Sequence, residues 1–215
     1  MSGVSDGSVS KFWRRQERHG RQLGPMAAIM DTPGPLTIVI GTQESATVLQ
    51  MERMASNIAQ NLFIYFGTEV DIRYDYEMKD SNPTGNVIAL GTEAQNSYLR
   101  QINKHSSQNR NFPIQTKDKT IIINDRNRRH VYKGKDIGAI YLQPLSENRL
   151  LLTICGTTQK GIDLAVRLFP YRTGAGQPDW IIVGPEMGVR GMQGVQAMGY
   201  YNNLWEIESD VSYFS

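Results

Sequence analysis

The sequence predicts an α/β fold with three layers and a Rossmann- or flavodoxin-like sheet that is mixed but mainly parallel. Three observations predict it. Four apolar segments run directly into a glycine, at 36–42, 86–92, 151–157 and 180–186. The first three are followed by stretches that favour helix, as in parallel strands joined by crossover helices. A further apolar run at 137–142 and the run at 150–154 flank a Pro- and Asn-containing turn, which predicts one antiparallel hairpin within the sheet.

Length and composition favour one domain with a sizeable core. The chain has 215 residues, 40% of them apolar, and a formal net charge of +2. This small charge does not favour nucleic acid or an acidic membrane surface as a partner. No apolar run approaches the ~20 residues of a membrane helix, and the first ten residues lack the apolar stretch of a signal peptide. Cys155 is the single cysteine and lies in an apolar strand, which favours a core residue over a nucleophile.

Composition divides the chain into three parts. Residues 1–35 are predicted to be a flexible, basic N-terminal connector, 36–207 the α/β domain and 208–215 a C-terminal tail. Within 11–30, basic residues alternate with Phe12, Trp13 and Leu23. That mixture predicts an amphipathic connector that docks on a surface shared with another domain, and an isolated chain that exposes apolar surface and self-associates.

For the first half of the chain, the sequence predicts a strand, a helix, two further strands and a second helix, in that order. After 36–42, apolar residues at three- and four-residue steps predict a long helix that ends near Gly67. Alternation over 70–76 predicts a second strand. After the strand at 86–92, Thr92 or Glu93 is expected to open a second helix.

The second half is expected to begin with an antiparallel excursion. Segments 112–115 and 120–124 flank the charged turn 117–119, and the hairpin of 137–142 and 150–154 follows. A third helix is expected after Thr157-Thr158, with Pro170 ending it.

Thr42, Thr92 and Thr157 stand where helix N-caps belong, because each follows the glycine at a strand end. A threonine there accepts hydrogen bonds from unpaired backbone N–H groups, and this capping role is the favoured interpretation. The alternative is a ligand site, since helix N-termini attract anions and α/β sheets bind ligands at this edge. The glycine spacings of dinucleotide and P-loop sites do not follow any of these strands.

Residues 184–194 form the most glycine-dense stretch, with Glu186 and Arg190 as its charged side chains. Such a loop can bring backbone close to a ligand or can simply pass tightly over the sheet edge. The second interpretation is favoured, and Glu186 and Arg190 join the three threonines as the candidate ligand residues.

Other chemistries lack their sequence signatures. The three histidines, His19, His105 and His130, have no metal-ligand partner at helical spacing, and no Gly-x-Ser-x-Gly nucleophile motif occurs. We therefore predict no catalytic residue, no cofactor and no metal site. A basic cluster is better explained as a solvated turn than as a nucleic-acid patch. Its members are Arg126, Arg128, Arg129, Lys133 and Lys135.

Two sets of residues resemble a known family. RQLGPM at 21–26 and PGPLTIVIGT at 33–42 resemble the opening of the C-terminal domain of large secreted prolyl-oligopeptidase-like α/β-hydrolases, common in fungi. LFPYRTG at 168–174, PDWIIVGPE at 178–186, GMQGVQAMGYY at 191–201 and Trp205 resemble the closing pattern of that domain. The chain differs at Met192-Gln193, where that family has an aromatic or small residue.

The resemblance implies a non-catalytic accessory domain of a secreted serine hydrolase, because the catalytic residues of those proteins lie in a preceding domain. It implies a hydrolase domain as partner, whether missing or on a separate chain. Two alternatives stay open, a small domain that binds phosphate or sugar and a subunit of a split hydrolase. The family that the chain resembles is secreted, whereas this sequence shows no signal peptide, so the localisation of the chain is left open.

Overall fold

A computed structural model describes residues 17–79, 83–107, 112–117, 119–126, 128–145, 148–170 and 177–215. The predictions for Phe12, Trp13 and residues 171–174 lie outside these ranges. None of the described helices is both long enough and apolar enough to cross a bilayer.

The described residues form eleven strands and four α-helices. The strands are β1 Leu36–Ile40, β2 Val70–Tyr74, β3 Val87–Leu90, β4 Ile114–Lys117, β5 Thr120–Asn124, β6 Arg129–Lys133, β7 Gly138–Pro144, β8 Leu150–Gly156, β9 Trp180–Val183, β10 Val195–Gly199 and β11 Tyr213–Phe214. The helices are α1 Ser45–Phe66, α2 Ser97–Ser107, α3 Gln159–Val166 and α4 Met187–Arg190. Eight strands form one sheet in the order β11-β10-β9-β7-β8-β3-β1-β2, and β4-β5-β6 form a second.

The prediction of a Rossmann- or flavodoxin-like α/β fold with a mainly parallel sheet is wrong, because the domain is mostly β. In the large sheet β1 pairs in parallel with β2 and β3, and β3 with β8. The other four pairings, β8 with β7, β7 with β9, β9 with β10 and β10 with β11, are antiparallel. The small sheet is antiparallel throughout.

The position of the hairpin explains the error. The predicted hairpin exists as β7 and β8, with Gly138 opposite Gly156. β9 was expected to continue the parallel set but pairs with β7 instead. It therefore runs in the same direction as β8 while both of its neighbours are antiparallel to it. The strand-to-glycine pattern predicted the direction of β9 correctly and its neighbours wrongly.

The two faces of the large sheet are covered differently. On one face, α1 and α3 bury a core cluster that includes Ile38, Met51, Ile88 and Ile162. On the other, Tyr98 and Leu99 of α2 pack against a smaller cluster on β1, β3 and β8. The small sheet meets the large one where Phe112 stacks on Tyr141 with ring centroids 6.2 Å apart. The antiparallel excursion expected at 112–124 is confirmed as β4 and β5.

The long first helix is confirmed, together with its terminating glycine. α1 ends at Phe66, and Gly67 adopts the left-handed conformation with φ of 64° while its N–H donates to the carbonyls of Leu62 and Phe63. Glycine meets this geometry without the steric cost of a side chain.

The described part of the N-terminal segment packs on the domain itself. Met26 and Ile29 are buried in the main core. Gln22 is also buried, and its side-chain amide donates to the carbonyls of Leu145 and Arg149 at 3.2 Å each. The described part of the predicted connector therefore contacts the domain that follows it, and its docking on another domain stays a prediction. At the other end, β11 within 208–215 pairs with β10.

Candidate functional site at the carboxyl edge of the sheet

The carboxyl ends of β1, β2, β3, β8 and β9 meet at one edge of the large sheet, which we call the carboxyl edge. Its residues include Thr42, Asp75, Thr92, Thr157 and the loop that begins at Gly184. Open sheets with parallel strands bind ligands at this edge, which is why the sequence placed a candidate site here.

Thr42 is held by a buried carboxylate. Its hydroxyl donates to Asp75 Oδ1 at 2.6 Å, and the other oxygen of Asp75 accepts the backbone N–H of Ser97 at 2.6 Å. Asp75 is 1% exposed. Burial alone would raise the pKa of Asp75, but the hydrogen bonds from Thr42 and Ser97 together hold that pKa below its ordinary value. This carboxylate thus joins the end of β1 to the first turn of α2.

Thr92 belongs to a turn rather than to a helix start. Its N–H donates to Gln95 Oε1 at 3.0 Å, and the Gln95 amide donates to Glu44 at 2.7 Å. The helix begins five residues after Thr92, and Asn96 Oδ1 accepts the N–H of Leu99 at 3.2 Å. Asn96, not Thr92, therefore caps α2.

Thr157 and Thr158 divide two roles between them. The hydroxyl of Thr157 accepts the N–H of Ile137 at 3.1 Å and closes the end of the hairpin. Thr158 is the N-cap of α3, since its hydroxyl accepts the N–H of Gly161 at 3.2 Å and donates to Asp136 at 2.7 Å. The capping prediction was wrong by one residue here. It was also wrong for Thr42, because the N-cap position of α1 is Glu44 and makes no side-chain capping bond.

The glycines of this edge serve close packing of the chain against itself. A Cβ on Gly41 would lie 2.6 Å from the carbonyl oxygen of Gln95, and one on Gly156 would lie 2.6 Å from the backbone nitrogen of Ile162. The space that a bound ligand would need beside these two glycines is filled by the protein's own backbone.

Glu186 and Arg190 are exposed and lie apart from this hydrogen-bonded network. They bound the four-residue α4, and the Arg190 N–H donates to the Glu186 carbonyl at 2.7 Å. Between them Val189 is 92% exposed. The structure thus gathers Thr42 and Thr92 around the turn at Gln95, holds Thr157 separately, and leaves Glu186 and Arg190 at the surface.

Cys155, His130 and His19 lie in three different surroundings. Cys155 is fully buried, and burial raises its pKa to about 12. His130 lies 3.1 Å from Asp125 and stacks on Phe214 at 3.9 Å, and His19 is exposed. Among the described residues, no three His, Cys, Asp or Glu side chains gather closely enough to hold a metal ion.

The basic cluster lies on and beside the outer strand of the small sheet. The expected solvated turn is partly a strand, since β6 covers Arg129–Lys133. Arg126 pairs with Glu206 at 3.0 Å, at the mouth of a cleft between the small sheet and the C-terminal segment. Arg129 and Trp205 line the same cleft, but Trp205 is 3% exposed and offers no stacking face to a ligand.

Sequence reasoning missed a buried polar cluster around Asp179. Arg18 pairs with Asp179 at 2.8 Å and lies 4.5 Å from the ring centre of Trp205. Asp179 also accepts the N–H of Tyr201 at 2.8 Å. A signal was present in the sequence, because Asp179 directly precedes an entirely apolar strand and a carboxylate in such a place needs a cation.

Comparison with protein-family models finds no match. Among curated proteins, the chain is similar to an uncharacterized secreted protein of Arthroderma benhamiae, with 31% identity over 210 residues. The alignment covers 94% of this chain and 21% of that protein, so the chain spans about a fifth of the length of this relative.

These findings correct the description drawn from the sequence. The chain was expected to be a Rossmann-like, hydrolase-associated α/β domain. The fold is β-rich, and the name of the relative states no activity. The resemblance to prolyl-oligopeptidase-like hydrolases stays a prediction that rests on the sequence motifs alone.

Proposed function

We propose that this chain is a non-catalytic accessory domain of a larger secreted protein. The alignment supports the modular part of the proposal, because nearly the whole chain matches about a fifth of a longer secreted relative. A segment with its own hydrophobic core that recurs within a longer chain has the properties of a domain.

The use of the polar side chains at the carboxyl edge carries the non-catalytic part. Thr42 donates to Asp75, Asp75 accepts from Ser97, and Thr157 accepts from Ile137. A general base or nucleophile must face a substrate with its reactive atom. Here the hydroxyl and carboxylate oxygens face the protein's own backbone and side chains. Their hydrogen bonds therefore stabilise the fold instead of meeting a substrate.

Two further ideas remain predictions. A serine-hydrolase neighbour, on the same or a separate chain, rests on the sequence resemblance. A ligand site for phosphate or sugar rests on the position of the threonines, Glu186 and Arg190. The hydrogen bonds of Thr42 to the buried Asp75 and of the buried Thr157 to Ile137 favour a structural role for these two side chains over ligand binding.

The test is to treat the folded chain with a fluorophosphonate probe and with p-nitrophenyl esters. We expect no stoichiometric labelling and no turnover above that of the heat-unfolded chain. A serine hydrolase of known activity serves as the positive control. Labelling of a single serine in the folded chain, located by mass spectrometry and lost on unfolding, would overturn the proposal.

A further inference from the structure

We propose that the outer edge of β2 is a homodimer interface, where two copies of the chain pair antiparallel about Ile72 and join their large sheets. The occupant is a second copy of this chain. The inference is independent of the proposed accessory role, because it rests on the edge strand and one flank of α1.

The backbone of β2 is available at this edge. β2 is the last strand on its side of the sheet, as far as the described residues go. The Asp75 N–H donates to the Ile40 carbonyl of β1 at 2.9 Å. Because backbone groups alternate along a strand, those of Arg73 and Asp71 also face β1, and those of Ile72 and Val70 face outward. Exposed edges of this kind are templates for pairing with another chain.

The charges of β2 are complementary to themselves. In an antiparallel pair centred on Ile72, Asp71 of one copy lies opposite Arg73 of the other, and the same contact occurs twice. Within one chain these two side chains form an exposed ion pair of 3.2 Å. Val70 lies opposite Tyr74, an aromatic and β-branched combination that stabilises neighbouring strands. Antiparallel pairing in this register therefore brings no like charges of β2 together.

An apolar flank of α1 lies beside the same edge. The Tyr74 hydroxyl donates to Glu52 at 2.7 Å, so the Glu52 side of α1 faces β2. Phe63 and Phe66 follow Glu52 by 11 and 14 positions, which places them on that side of the helix. They are 59% and 49% exposed, and Ile72 of β2 is 43% exposed. Isolated exposed apolar residues are ordinary, but exposed apolar side chains on both an edge strand and the flank of the helix beside it indicate an interface.

The helices would meet in this arrangement. α1 contacts both β1 and β2. A twofold axis at the β2 edge therefore places two copies of α1 about two strand spacings apart, roughly 10 Å, which is the separation of packed helices. Phe63 and Phe66 of both copies would then be buried between the helices.

One backbone N–H at this edge already has a partner, because Glu77 accepts the Tyr74 N–H at 2.7 Å. The pairing therefore relies on the backbone groups of Ile72 and on the Val70 N–H.

Charge reversal tests the register. We expect the wild-type chain to dimerise with concentration over about 10 µM to about 1 mM in sedimentation equilibrium, a range that covers weak protein dimers. Asp71→Arg alone and Arg73→Asp alone should each raise the dimer Kd by about tenfold or more, because two attractive cross-strand contacts become repulsive. An equimolar mixture of the two variants should form a heterodimer with a Kd near that of the wild-type dimer.

The mixture distinguishes an effect on the interface from an effect on the internal Asp71–Arg73 ion pair, because neither variant can re-form that pair within its own chain. Arg167→Asp, in the exposed pair with Asp163 on α3, is the matched control and should leave the dimer Kd unchanged. Thermal unfolding checks that all variants are folded. A wild-type chain that stays monomeric throughout, single reversals that leave the Kd unchanged, or a mixture that does not associate would each overturn the proposal.

Discussion

Arg18 and Asp179 form a two-point ion pair that anchors the N-terminal segment to the end of the sheet. Arg18 Nη1 lies 2.8 Å from Asp179 Oδ2, and Nη2 lies 3.2 Å from Oδ1. The two side chains are 7% and 1% exposed. The backbone N–H of Arg18 donates to the Asn203 carbonyl at 2.7 Å. A residue near the start of the described chain is thereby fixed to the strand end at β9 and to the C-terminal segment.

Replacing Arg18 by alanine should lower the free energy of unfolding by about 3–5 kcal/mol, because it leaves the Asp179 carboxylate buried without its cation. Urea unfolding followed by tryptophan fluorescence measures the change. Arg167→Ala, in an exposed pair, should change stability by less than about 1 kcal/mol. An Arg18→Ala chain as stable as the wild type would show that the pair does not hold the segment in place.

Asp75 should make the domain sensitive to acid. Its pKa is lower in the folded chain than in the unfolded chain, because the hydrogen bonds from Thr42 and Ser97 outweigh the effect of burial. As pH falls below about 4, the unfolded state takes up the proton first. The stabilisation by Asp75 is therefore complete above about pH 4 and is lost as pH falls through the lowered pKa.

Thermal unfolding of the wild type and of Asp75→Asn at about pH 6 and about pH 3 measures this effect, since the ordinary aspartate pKa lies between them. The difference between the two proteins should be large at the higher pH and should shrink at the lower one. Comparing the two proteins removes the contribution of Asp179, which both contain. Burial holds the pKa of Asp179 above its ordinary value despite the nearby Arg18. A difference that stays constant with pH would contradict the role given to the Asp75 charge.

Gly161 should not tolerate a side chain. A Cβ at this position would lie 2.2 Å from the carbonyl oxygen of Ile137, and that backbone is fixed by the hairpin. Gly161→Ala should destabilise the domain by about 1–3 kcal/mol. Gly188→Ala is the matched control, because its Cβ would meet only the Leu164 side chain at 3.6 Å. Urea unfolding should show a loss for the first variant and no loss for the second.

Cys155 should resist thiol reagents in the folded chain. It is fully buried, and burial raises its pKa to about 12, so little thiolate forms near neutral pH. The release of thionitrobenzoate from Ellman's reagent should be slow in buffer and rapid in concentrated urea. Rapid reaction in buffer would show that the strand around Cys155 opens or that the thiolate is stabilised.

The local elements were largely predictable from the sequence, and the sheet topology was not. The extent of α1 and its end at Gly67 follow from apolar periodicity and glycine geometry. The two apolar runs on either side of the Pro- and Asn-containing turn likewise predicted the hairpin of β7 and β8. Whether β9 lies beside β8 or beside β7 depends on long-range packing, which no local pattern records. The strand order of the β-rich, mixed sheet could therefore be recognised only from the structure.

The position of the candidate site could be predicted from the sequence, but the roles of its threonines could not. The glycine-threonine pairs correctly marked the carboxyl edge of the strands. Their hydroxyl partners come from distant positions, as Asp75 does for Thr42 and Ile137 for Thr157. A shift of one residue separates Thr157 from the true cap, Thr158, and helix ends predicted from sequence carry that uncertainty.

The central claim, that Thr42 and Thr157 at the carboxyl edge stabilise the fold rather than bind a ligand, is tested most directly by ligand-dependent thermal unfolding of the wild type, Thr42→Ala and Thr157→Ala. Inorganic phosphate and glucose 6-phosphate are the ligands titrated. We predict that both substitutions lower the unfolding midpoint, each costing about 1–3 kcal/mol for a buried polar group left without its partner, and that neither ligand stabilises any of the three proteins saturably. Saturable stabilisation of the wild type that is lost in variants of unchanged intrinsic stability would contradict the claim.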